Sequence, residues 1–220
     1  MSYNGAPLNF GPTIDTKGLP DLYAPQEVEE FSLPRGGIDN LSLSATDAFR
    51  LADGREFEVD FEGYFRVARA EPKGEDWATS GVEVNMVDMR LAGNSAVLGP
   101  MRVRLNPEIT SAGQTFPRGG NGESQACRIA VAALFEAPEM GITLYNAEPV
   151  LLMNDAIDSI PPVEDPNGHA HIYQLPLYPH GPSMKSEDVS QDQPLAYVTS
   201  LRYTVGNYIT EEEAESFRAG

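Results

Sequence analysis

Cysteine is nearly missing from this sequence. Cys127 stands alone among 220 residues, so no disulfide within the chain can staple the fold. The first residues, Met1-Ser2-Tyr3-Asn4-Gly5-Ala6-Pro7, carry neither a basic region nor an apolar run, so the marks of a secretory signal are lacking. Both features point to a reducing, cytoplasmic compartment. No stretch approaches the ~20 consecutive apolar residues of a membrane span. Lysine is scarce as well: Lys17, Lys73 and Lys185 are the only ones, and Lys plus Arg total 15 against 33 Asp plus Glu, a net charge of -18. Such a chain repels phosphate backbones and anionic lipid, which excludes nucleic acid and membrane surfaces as expected partners. No Walker lysine, G-x-G-x-x-G or nucleophile elbow is present either.

What the chain does contain is alternation. From Glu56 to Val67, Phe57, Val59, Phe61, Phe65 and Val67 fall on one face, and Glu56, Glu58, Asp60 and Glu62 on the other. Period-two alternation of this length predicts a half-buried strand. Asp53-Gly54 before it is a tight-turn signal, which makes Asp47 to Leu51 the hairpin partner. Val82 to Met86 alternates in one phase and Val87 to Leu91 in the other. A β-bulge near Met86 and Val87 reconciles the two. Met101 to Leu105 is a further amphipathic strand, with Arg102 and Arg104 outside. Ile129 to Phe135 is apolar on both faces and reads as a buried strand, with a short helix over Ser124 to Ala133 as the alternative. Ile142 to Tyr145, Val150 to Met153 and Tyr197 to Val205 complete the strand set. A capping box at Thr210-Glu211-Glu212-Glu213 predicts a short C-terminal helix.

The expected fold is therefore all-β: an antiparallel β-sandwich or β-barrel with an extended N-terminal arm and a short C-terminal helix. Residues 1–30, punctuated by proline and glycine, form the arm, with Leu8, Phe10, Leu22 and Tyr23 as apolar handles. Residues 31–220 form one domain, with a proline-rich excursion over 154–195. Pro34-Arg35-Gly36-Gly37 returns as Pro117-Arg118-Gly119-Gly120, and Ala70-Glu71-Pro72 as Ala147-Glu148-Pro149. Those repeats suggest a weak internal duplication of 31–113 and 114–209, or coincidence among short turn strings.

All three histidines fall within the excursion. His169 and His171 are two apart, so on an extended segment both imidazoles point to one side. With His180 and a nearby acid, Glu164 or Asp165, they form a candidate first shell for a divalent transition metal. The H-x-H pair resembles that of cupins, but Gln174 and Leu175 stand where a glutamate would follow. A surface loop whose histidines meet solvent is the competing reading, and no other cofactor is expected. The acid ladder Glu56, Glu58, Asp60, Glu62 reads as a solvated face with Arg102 and Arg104 as cross-strand partners, or as carboxylates available for acid-base work. Cys127, beside an apolar run, reads as a small buried hydrophobe.

Three functions fit these features. One is binding of a small, largely apolar molecule inside a barrel or sandwich, as a carrier or a cofactor-free isomerase or cyclase. The second is a structural or assembly subunit of a homo-oligomer, using the arm and the long loop for self-association. The third is a metal-dependent enzyme built on His169, His171 and His180.

Overall fold

Two consecutive strands carry the longest alternation, and they pair along their whole length. β1 (Gly37–Leu51) and β2 (Glu56–Arg69) are antiparallel, from Gly37 opposite Arg69 to Arg50 opposite Glu56. Gly54 takes a left-handed conformation in the turn between them, with φ 90°, which a side chain would resist. Val59, Phe61, Phe65 and Val67 are buried, Phe57 packs against them half-buried, and the four acids opposite are exposed. The hydrophobic pattern has set the register, since a slip of one residue would invert the two faces.

The computed structural model describes residues 14–21, 33–118, 124–170, 174–180 and 193–219. Among these, ten further strands join the same sheet: β3 (Glu83–Ser95), β4 (Gly99–Leu105), β5 (Ser111–Pro117), β6 (Gln125–Val131), β7 (Ala133–Ala137), β8 (Ile142–Asn146), β9 (Val150–Ile157), β10 (Asp165–Ala170), β11 (Leu175–Pro179) and β12 (Ala196–Tyr208). All the strand pairings are antiparallel, and β12 returns to pair with β1. The sheet therefore closes on itself.

Its logic is an eight-membered up-and-down barrel in which four walls are broken at mid-height. β12, β1, β2 and β3 run its full length. β3 pairs β4 through Arg90 to Ser95 and β5 through Glu83 to Met86, so β4 and β5 are two halves of one path. β6 with β7, β8 with β9, and β10 with β11 continue the same scheme: β4, β7, β8 and β11 line one end, and β5, β6, β9 and β10 the other. At the breaks the ladder loses partners, and polar side chains replace them. Asn146 accepts from the Ala133 amide at 2.6 Å and donates to the carbonyls of Val131 and Glu148; Ser111 accepts from the Ala132 amide; the Asn106 amide donates to the Ala132 carbonyl. All three side chains are buried. The stretch Ile129 to Phe135 is thus strand, not helix, and Ala132 is its corner.

The expected bulge is present. Arg66 faces Asp88 and the next residue, Val67, faces Met86, which leaves Val87 as the extra residue, 40% exposed. Helix α1 (Glu211–Ala219) follows β12, with Thr210 and Glu213 bonded reciprocally as a capping box. It covers the outward-facing Tyr64, whose ring stacks on Phe217 and whose hydroxyl meets Asp88 and Arg218.

Three expectations need adjustment. The 154–195 stretch is no single excursion, because β10 and β11 lie inside it; Pro176 and Pro179 are tolerated in a short strand where some ladder bonds can be forgone. Of the arm, Asp21 bridges to Ile38 and pairs with Arg66 at 2.9 Å, while Leu8, Phe10, Leu22 and Tyr23 lie outside the described residues. The repeated strings occupy different places: Pro34 to Gly37 leads into β1, Pro117-Arg118 leaves β5, and both halves contribute to one barrel.

Candidate functional site

The two ends of the barrel are filled differently. At the end holding the β1–β2 turn, Phe49, Phe57, Phe61 and Phe135 interlock, with Phe49 stacked on Phe57 at 5.2 Å and edge-on to Phe61 and Phe135 at 6.5 and 5.9 Å. Rings of this size leave little space. At the opposite end Val67, Val84, Thr115, Cys127 and Val205, together with the larger Phe65, Met86 and Tyr203, line a cavity. The cavity itself is small, about 40 Å³, within an envelope of about 570 Å³ that includes open solvent. Its lining is almost wholly apolar. Ile160, Pro161 and Pro162, from the β9–β10 connection, bound the cavity on one side.

Few polar groups enter it. Thr115 uses its hydroxyl oxygen to accept from the Val82 amide at 3.0 Å, and the Tyr203 hydroxyl donates to the Met153 carbonyl at 3.0 Å. Burial pushes the Cys127 thiol up to about 12, so it is neutral at physiological pH and is not an activated nucleophile. Asn154, 1% exposed, lines the cavity from β9; its Oδ1 accepts from the Ala156 amide at 3.3 Å, while Nδ2 has no hydrogen-bond partner among the described residues.

A second polar group is buried inside the barrel away from this cavity. Asp47 lies on β1 opposite Val59 and Leu201 and between Ala45 and Phe49 on its own inward face. It is 3% exposed, its Oδ1 meets no donor among the described residues, and burial raises its pKa to about 8. The carboxyl is therefore largely protonated at neutral pH. Sequence reasoning passed over both residues. A signal for Asp47 existed: the phase that places Phe49 inside also places Asp47 there.

Of the sequence-derived metal candidates, His169 and His180 lie apart. His169 lies on β10 opposite Arg202, with Nε2 3.8 Å from Asp155 Oδ2. Leu177 faces Ala196, so six residues of β12, roughly 20 Å, separate it from the level of His169. His180 lies three residues further on, edge-on to Tyr145 at 5.6 Å. His171 lies outside the described residues. Glu164 accepts from Asn207 at 2.9 Å. Among the described residues no group of three His, Cys, Asp or Glu is placed to hold a metal.

The acid ladder is a solvated outer face, in which Asp60 accepts from the Thr46 hydroxyl at 2.7 Å. Arg104 is not its partner: Arg104 pairs with Glu136 of β7 at 2.7 Å. Arg102 also faces Glu136, on the strand beyond, because β3 intervenes between β2 and β4.

Comparison with known proteins extends these observations. The sequence profile of a family described as "Family of unknown function (DUF6073)" matches residues 2–215. Among solved structures, the chain is similar to DynF from the dynemicin biosynthesis pathway of Micromonospora chersina. The two share 35% sequence identity and a TM-score of 0.83, over 92% of this chain and 95% of that one. No curated protein matches.

Proposed function

We propose, from the premise that this chain belongs to the family of unknown function DUF6073, that it binds a small, largely apolar molecule inside its barrel. The observation that carries this reading is the cavity: one end of the barrel is packed with four phenylalanines, while the other holds a small space with an almost wholly apolar lining. Removing apolar ligand surface from water would supply the affinity, and a preformed pocket would spare the cost of assembling one. DynF's place in a biosynthesis pathway supports a small-molecule ligand. The outward faces carry Glu56, Glu58, Asp60 and Glu62 with Arg102 and Arg104. That polarity is the reverse of a barrel set in lipid and supports an aqueous setting.

Titration of the purified protein with Nile red tests the reading. Saturable fluorescence enhancement is expected, and Val84→Trp, which fills the cavity, should abolish it. Absence of saturable binding, or binding untouched by Val84→Trp, would overturn the proposal. Native mass spectrometry of freshly isolated protein would reveal any ligand carried through purification.

A further inference from the structure

We infer that Asn154 is a hydrogen-bonding anchor within the cavity, and that the ligand is a neutral apolar molecule with an acceptor oxygen, such as a ketone, aldehyde, ester or quinone. The inference rests on the cavity being a binding site. Asn154 shares the inward face of β9 with Val150 and Leu152, and Cys127 faces it across the β6–β9 ladder. Its amide orientation is fixed, because Oδ1 accepts from the Ala156 amide at 3.3 Å. Nδ2 is then the remaining end. It is buried and has no partner among the described residues.

The other polar groups in the lining are engaged with the wall. The Thr115 oxygen accepts from Val82, and the Tyr203 hydroxyl donates to Met153. A buried donor with no partner is costly, and a site carrying such a donor discriminates strongly between a ligand that accepts from it and one that does not. The charge of the ligand follows from the same lining. Among the described residues no lysine or arginine borders the cavity, so a carboxylate or phosphate entering it would be desolvated without a counter-ion from them. An uncharged carbonyl satisfies Nδ2 at no such cost.

Fluorene and 9-fluorenone provide a matched test, since they share a ring skeleton and differ in one carbonyl. Calorimetric or dye-displacement titration of the full chain should show fluorenone binding about tenfold or more tightly than fluorene. Asn154→Leu should reduce that ratio to near one while leaving fluorene binding intact. In the unsubstituted protein, the Asn154 side-chain amide resonance should move on adding fluorenone and stay in place with fluorene, a readout independent of how the variant folds. Equal affinities for the two compounds, or a ratio unaltered by Asn154→Leu, would overturn the anchor and leave the cavity reading standing. Failure of both compounds and of Nile red to bind would overturn both. A shifted amide with no affinity ratio would mean that Nδ2 is equally well served by an ordered water, and would also refute the selection proposed.

Discussion

Arg69 reaches diagonally across the β1–β2 ladder to Asp39, donating through Nε at 2.6 Å, and both side chains are at most 3% exposed. Burial raises the Asp39 pKa against the pull of Arg69, so the carboxylate depends on its partner. Replacing Arg69 with Met leaves a buried acid unpaired and should cost ~3–5 kcal/mol in chemical denaturation. A loss below 1 kcal/mol would show that the pair contributes little.

Asp47 provides the opposite case, because no cation answers it. Its pKa is raised from 3.8 to about 8, so the folded state holds a proton that the unfolded chain releases. The stabilising effect of that proton is complete below the unfolded value and is lost as pH rises through the folded one. Asp47→Asn should therefore be close to neutral at pH 4 and stabilising at pH 9, by up to roughly 5 kcal/mol. Thermal denaturation of both proteins between pH 4 and 9 measures this, and parallel curves would refute it.

Phe61 is 1% exposed and sits edge-on to Phe49 within the aromatic end. Phe61→Ala should cost ~3–5 kcal/mol. The same protein should still bind Nile red at the other end, which separates the packed region from the open one.

Gly63 faces inward where β2 crosses close to β3. A Cβ placed there would lie 1.9 Å from the Arg90 carbonyl oxygen. Gly63→Ala should cost ~1–3 kcal/mol or more through displacement of the strand, measured by urea midpoint; an unchanged midpoint would mean that the wall yields freely.

The Val87 bulge separates tolerant from intolerant positions. Val87→Asp should change stability by less than ~0.5 kcal/mol. Met86→Asp buries a charge beside the cavity and should prevent folding to a single state. Equal effects would place the bulge elsewhere.

The barrel's main frame was legible because it depends on local patterns. Alternation from Glu56 to Val67 fixed a face, Asp53-Gly54 fixed a turn, and the phase change at Met86 and Val87 fixed a bulge. Ser111 and Asn146 are different. They look like ordinary loop residues, and their part as substitutes for lost ladder bonds exists only once β6 and β7 meet at Ala132. The cavity was hidden for a related reason: Val84, Cys127, Asn154 and Val205 are far apart in sequence, and only closure of β12 on β1 sets them around one space. His169 and His180 were close in sequence but lie at different levels along β12, since β10 and β11 pair with different parts of it.

The interrupted wall gives the molecule two mechanical sides. β12, β1, β2 and β3 act as a continuous spine, each spanning the whole height through main-chain bonds. Across from them, four pairs of short segments meet like ribs at a common seam, pinned in part by the side chains of Ser111 and Asn146. Side-chain bonds there take the place of main-chain ladder bonds, so deformation should concentrate along that seam and spare the spine. A guest thicker than the resting cleft would accordingly push the ribs outward, with Asn154, rooted in one of them, carried along.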